Sequence, residues 1–137
     1  MSVIFPSVDW LNSLKDKLNS DEKYKKIASK WEGDIIFLIQ PEGALENQLI
    51  YYINLWHGEC LGVNELSSVD EKEAVFILEA KFENVVKVLK GQMDPMQAML
   101  TRKLKVKGNM GYMMKNIPTV LNFVRCAQEV TDEILGE

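Results

Sequence analysis

Ile35-Ile36-Phe37-Leu38-Ile39 and Ala74-Val75-Phe76-Ile77-Leu78 are apolar at every position, and no other feature of the chain constrains its fold as much. Successive side chains of a strand point to opposite faces of its sheet, so a strand half in water alternates apolar with polar residues. These runs do not alternate. Their β-branched and aromatic content, with turn formers on either side, predicts strands, and both faces of the sheet that holds them must be covered. Leu49 to Trp56 reads as a third strand. Pro41-Glu42-Gly43 is hairpin-like turn chemistry, which predicts a largely antiparallel sheet. The polar stretch 57–70 is expected to be a loop with at most a short strand in it.

Helical periodicity fills the rest. Trp10, Leu11, Leu14 and Leu18 predict a helix over residues 8–19, capped by Ser7 or Asp9. Tyr24, Ile27, Ala28 and Trp31 place one apolar stripe on a second helix, capped by Ser20 or Asp21 and ended by Gly33. Phe82, Val85, Val86 and Leu89 repeat that spacing up to Gly91. Asp94-Pro95 has the chemistry of a helix start, with Met96, Met99 and Leu100 on the face that follows. Leu104 and Val106 alternate with Lys103, Lys105 and Lys107, a strand with one wet side. Met110, Met113, Met114 and Ile117 restore helical spacing, and residues 118–135 predict a long final helix.

At 137 residues and 15.7 kDa the chain is expected to be one domain, residues 1–137, able to fold without disulfides or metal. Its net charge of -4 argues against nucleic acid as the main partner, since that binding draws on a basic face. No apolar run is long enough to cross a bilayer. The start, Met1-Ser2-Val3-Ile4-Phe5-Pro6, lacks the positive and apolar regions of a secretory signal, so a cytoplasmic setting is expected. Cys60 and Cys126 are then reduced and buried. His57, with Cys60 three residues on, invites a catalytic or metal reading, but one His and two Cys make no ligand set. The chain also lacks a Gly-x-Ser-x-Gly elbow and a Lys-bearing phosphate loop. No enzyme activity and no cofactor are expected.

Met93, Met96, Met99, Met110, Met113 and Met114 crowd on either side of the lysine-studded strand. Methionine is the most deformable apolar side chain, suited to a wall that fits more than one ligand shape, and equally suited to filling a core. The lysines, with Arg102 and Lys115, either guard a sheet edge or meet an anionic head group or membrane surface.

The block Val88-Leu89-Lys90-Gly91-Gln92-Met93-Asp94-Pro95-Met96-Gln97-Ala98-Met99, running into Leu104-Lys105-Val106-Lys107-Gly108-Asn109-Met110, resembles the most characteristic stretch of the sterol carrier protein domain, also called the non-specific lipid-transfer protein family. That stretch is a helix ending in Gly, a short link to Asp-Pro or Asn-Pro, a short helix, a basic strand ending in Lys-Gly-Asp and a final helical region. Asn19-Ser20-Asp21-Glu22 leading to Trp31-Glu32-Gly33 is similar to the family's opening helices and first strand. Departures are Thr101-Arg102, where the family often has a small residue and Gly, and Asn109 in place of Asp. The end, Leu135-Gly136-Glu137, lacks the peroxisomal Ser-Lys-Leu address of some relatives, which points to a bacterial or archaeal homologue.

The resemblance implies a single α/β (α+β) domain with a five-stranded, largely antiparallel sheet, helices on one side and a hydrophobic tunnel for sterols, fatty acids or fatty acyl-CoA, with no catalysis. With the two-sided strands and the methionine-rich helices, it places a cavity between sheet and helices in the C-terminal half. The expected lining is Trp56, Phe76, Met93, Met96, Met99, Leu100, Val106, Met110, Met113, Met114 and Ile117, with Leu121 and Val124 as a lid. An acyl chain of about sixteen methylenes gains roughly 13 kcal/mol gross at about 0.8 per buried CH₂, much of it offset by the cost of association. The expected partners are a lipid and transient contact with a membrane surface. The alternative from another class is an interaction or homodimerisation module with the same fold and a closed core.

Overall fold

The computed structural model describes residues 2–137. The chain begins with β1 (Ile4–Phe5), α1 (Val8–Ser20), α2 (Glu22–Ile27), β2 (Ile35–Gln40), β3 (Leu49–Trp56) and β4 (Glu59–Leu66). After a 3₁₀ turn at Val69–Glu71 come β5 (Phe76–Lys81), α3 (Phe82–Leu89), α4 (Pro95–Leu100), β6 (Lys105–Lys107), α5 (Met110–Lys115), α6 (Ile117–Val130) and β7 (Glu133–Ile134). One five-stranded sheet has the order β4-β3-β2-β5-β6. Neighbours are antiparallel except β2 and β5, which run parallel with Ile35 opposite Phe76. The mixed sheet with helices on one side is the expected architecture.

The two-sided apolar runs are explained by what covers each face. Ile35 and Ile39 turn to the helical side, where they join Tyr51, Ile53, Phe76 and Ala80 in the main core. Ile36 and Leu38 turn the other way and pack with Ile50, Tyr52 and Leu66. No helix contributes to that second cluster; Val69 and Ala74, from the segment after β4, pack against it. The segment is fixed by a capping box in which Ser68 and Glu71 satisfy each other's backbone N–H groups. Tyr52 donates its hydroxyl to Asp34 at 2.6 Å, and the Lys72 ammonium lies 5.1 Å from the Tyr52 ring centre.

Helix α1 buries Trp10, Leu11, Leu14 and Leu18 as their spacing predicts. Its last turn is pinned to β4 by a reciprocal pair: the Asn19 side-chain amide donates to the Cys60 carbonyl at 2.9 Å, and its carbonyl accepts the Cys60 backbone N–H at 2.8 Å. Cys60 and Cys126 are both free and buried.

Three sequence expectations need correction. Residues 57–70 are not mainly loop, because Glu59–Leu66 is a full edge strand paired with β3. The second helix ends at Ile27, and Trp31 leaves it to donate its indole N–H to the Gly33 carbonyl at 2.8 Å. The last helix stops at Val130. There the Thr131 hydroxyl accepts the Trp10 indole N–H at 2.8 Å and the Asp132 carboxylate accepts the Val3 N–H at 2.8 Å. These side-chain bonds turn the chain out of the helix, and Glu133–Ile134 pairs in parallel with Ile4–Phe5.

Candidate functional site

A cavity of about 100 Å³ lies between the helical side of the sheet and the helices. Its floor is Ile35, Phe37, Ile53, Leu55, Leu78 and Ala80, the inward residues of β2, β3 and β5. One wall is α3, through Val85, Val88 and Leu89, and the facing wall is α6, through Val120, Phe123, Val124 and Ala127. Ala98 and Met99 of α4 and Met113 of α5 close one end, while Trp10, Tyr24 and Trp31 stand at its inner margin. The accessible wall is wholly apolar, so a hollow of this kind favours hydrocarbon over water. A second, more open cleft of about 340 Å³ lies between Leu89, Lys90 and residues 131–137; it is partly polar and contains the Lys90–Glu137 ion pair.

The end formed by α4 and α5 is built by local chemistry. Asp94 accepts the backbone N–H groups of Met96 at 2.7 Å and Gln97 at 3.4 Å, and Pro95 fills the first helical position. After α4, Arg102 adopts a positive φ of 62° and the Leu104 N–H returns to the Ala98 carbonyl at 3.0 Å, which brings Lys103 and Leu104 over the cavity. Gly108 has φ +134°, and a Cβ there would meet the Val75 carbonyl oxygen and the Phe76 ring at 2.7 Å, so the chain can pass only as glycine. Asn109 then caps α5 by accepting the Tyr112 N–H at 3.0 Å. Tyr112 in turn accepts the Glu32 N–H at 2.9 Å through its hydroxyl and packs on Trp31, which also stacks on Phe76.

Residues 11–120 match the SCP-2 sterol transfer family. The chain belongs to that family. A crystal structure of sterol carrier protein 2 is 30% identical, with 89% of this chain and 95% of that one covered and a TM-score of 0.79. The solution structure of a conserved hypothetical protein from Thermus thermophilus is 29% identical, with 92% and 89% covered and a TM-score of 0.82. Sterol carrier protein 2 from Yarrowia lipolytica, 20% identical over 90% of this chain and 93% of that one, shares the fold at a TM-score of 0.61. No curated protein matches the chain.

In this SCP-2 domain, Met99, Met113 and Val124 of the expected lining stand at the cavity wall. Met96, Val106 and Met110 are partly buried against the same core without lining the hollow, and Met93 and Ile117 are half-buried. Phe76 is fully buried in the Trp31–Tyr112 aromatic cluster. Leu100, Met114 and Leu121 lie on the outer surface, and Trp56, at the end of β3, is exposed and stacks on His57 at 4.7 Å. Sequence reasoning missed the floor residues Phe37, Ile53 and Leu78. Their signal was the two-sided strands themselves, whose alternate positions had to face the helices.

His57 and Cys60 do not converge. His57 Nε2 lies 2.6 Å from Glu32 Oε2 at the surface, whereas Cys60 is buried with its Sγ 3.7 Å from the Gly62 carbonyl. Burial pushes both thiols up, to about 11 each, which leaves them protonated and unreactive at neutral pH. Among the described residues no group of three or more His, Cys, Asp or Glu could hold a metal ion, and no helix is long and apolar enough to cross a membrane. Two groups bear on the cavity frame. Tyr24 is fully buried, and its hydroxyl has no hydrogen-bond partner; burial, with the two cysteines nearby, raises its pKa and keeps it a phenol. Arg125 of α6 donates to both oxygens of Asp21 at 3.1 and 2.8 Å and to Glu129 at 2.9 Å. Lys17 also reaches Glu129 at 2.8 Å. This network ties the cavity's α6 wall to the α1–α2 corner.

Proposed function

We propose that residues 1–137 form one lipid-binding unit that carries a hydrophobic ligand in the cavity and catalyses nothing. The ligand class is a fatty acid, a fatty acyl-CoA or a sterol-like lipid. The observation that carries this reading is the wholly apolar hollow between sheet and helices; membership of the SCP-2 family supports it. Two buried free thiols suit a reducing compartment such as the cytoplasm. The remaining partner on this reading is a membrane surface, touched transiently when lipid is exchanged.

The hollow must widen to work. At about 100 Å³ it is well below the roughly 300–1,000 Å³ of ordinary ligand pockets. The yielding part is the end made by α4 and α5, each of six residues, where Met99 and Met113 can change rotamer without loss of apolar contact. Titration of delipidated protein with a fluorescent fatty acid tests the reading. Saturable uptake is expected in the parent chain, with loss of uptake in a Met99→Asp, Met113→Asp variant shown to be folded by circular dichroism. No saturable signal in the parent chain would refute it.

The same small volume favours a second reading, an interaction or homodimerisation module with a closed core. Light scattering and native mass spectrometry separate the two. A monomer with a stoichiometric small adduct supports the carrier, and a dimer with none supports the module.

A further inference from the structure

Of the described residues that line the hollow, Lys103 is the only exposed one and the only charged one. A lysine that is both lays its flexible stem along apolar surface and carries its ammonium out to water, so Lys103 marks the mouth, where the wall reaches the outside. Its position is set by the backbone. Arg102 turns the chain at φ 62°, a conformation that residues other than glycine take uncommonly, and the Leu104 N–H returns to the Ala98 carbonyl at 3.0 Å. Among the described residues no carboxylate pairs with the Lys103 ammonium, and between Pro95 and Gln128 the chain has no aspartate or glutamate to compensate it. Lys105 and Lys107 lie on β6 and guard the sheet edge. Lys103 precedes that strand, and edge protection gives no reason for its stem to line the hollow.

The interior offers a polar guest little. The Tyr24 hydroxyl is buried while the accessible wall is wholly apolar, so that hydroxyl is not presented to a guest. Thr119 donates its hydroxyl to the Ile27 carbonyl at 3.4 Å. Asn84, half-buried on α3, is neutral. A charged head group drawn inward would lose water and meet no counter-charge, which is strongly disfavoured.

We infer that Lys103 anchors the ligand's head group, and that the ligand is a single-chain amphiphile with an anionic group, carboxylate or phosphate, directly on its hydrocarbon chain. The inference rests on the carrier reading and narrows its ligand class. The tail fills the hollow, and the head stays at the mouth, where the Lys103 ammonium donates a charge-assisted hydrogen bond. A neutral sterol-like lipid gains nothing from this lysine, and a fatty acyl-CoA would place an uncharged thioester beside it.

Competition of dodecanoate, dodecyl phosphate and dodecanol against a bound pyrene-labelled alcohol, in vesicle-free buffer, tests this. Lys103→Met keeps an apolar stem on the wall and removes the charge. It should weaken the two anions about tenfold more than dodecanol, the size of a charged hydrogen bond discounted for solvent. Lys103→Glu should weaken them further, and Lys103→Arg should restore them. The anion whose affinity falls more identifies the head group. Added salt should erode the parent's preference for the anions. A Lys105→Gln, Lys107→Gln variant loses more charge, from residues off the wall, and should shift the anion-to-alcohol ratio no more than about twofold. An equal loss of anions and alcohol in Lys103→Met, or no loss, would overturn the inference and leave the carrier standing. So would a parent chain that takes up dodecanol and neither anion. A parent chain that takes up no probe at all refutes the carrier and this inference with it.

Discussion

Ala127→Leu should make the protein more stable and a worse carrier at once. Ala127 lies on α6 at the cavity wall and is 5% exposed. Leucine adds three carbons toward the hollow and suits a helix. A void of about 100 Å³ costs about 2.4 kcal/mol at ~24 cal/mol per Å³, and three added carbons at about 0.8 kcal/mol each recover a similar amount. Some of that is lost to imperfect packing, so the expected gain is about 1–2 kcal/mol, or about 3–6 °C in Tm. The same carbons displace about three methylenes of a bound chain, about 2.4 kcal/mol, which weakens affinity roughly 60-fold. Chemical denaturation of delipidated protein gives the first quantity and fatty-acid titration the second. A destabilised variant would mean that the interior is already full. A stabilised one with unchanged affinity would mean that the ligand binds elsewhere.

Two further outcomes follow from the cavity frame. Tyr24→Phe removes a buried hydroxyl that has no partner, so stability should stay level or rise by up to about 1–2 kcal/mol; a loss of more than about 1 kcal/mol on denaturation would expose a partner for that hydroxyl. Asp21 is held below its ordinary 3.8 by the Arg125 guanidinium first and by the Tyr24 backbone N–H second. Its contribution is therefore full above pH 3.8 and is lost as pH falls below that toward the depressed folded value. Arg125→Gln should cost about 1–2 kcal/mol at neutral pH after allowing for partial exposure and should flatten the acid limb of the stability curve. An acid limb identical to the parent's would contradict the assigned role of Asp21.

How much of this was legible in the sequence depended on whether the signal was local. Helices α1 and α3 carry their apolar spacing in consecutive residues, and the caps of α1 (read as Ser7 or Asp9, observed as Ser7) and α4 (Asp94) are equally local, whereas Leu100, read onto the apolar face of α4, is exposed. The β4 strand was hidden because Glu59, Leu61, Gly62, Asn64 and Glu65 face water or a sheet edge, and a register shift at Asn54/Leu55 blurs its pairing with β3. The end of α6 was overrun because Val130 and Ile134 keep helical spacing, while the bonds that stop it reach back to Val3 and Trp10 across the whole chain. Of the thirteen residues expected to line the cavity, three stand at its wall, Met99, Met113 and Val124. Met99 and Met113 lie on the wall, but methionines at the same local spacing face the surface at Met114 and the core at Met110. The turn between the two methionine helices is set by the positive φ of Arg102, the return of Leu104 to Ala98 and the passage of Gly108 against Val75 and Phe76, geometry that periodicity does not encode.

The account depends on the interior accepting a hydrocarbon guest, and solvent extraction of the freshly purified protein followed by lipid mass spectrometry asks this most directly. It should yield a long-chain lipid approaching one equivalent per chain from the parent and markedly less from Ala127→Leu. A parent preparation free of lipid, which also fails to retain an added fatty acid through gel filtration, would contradict it.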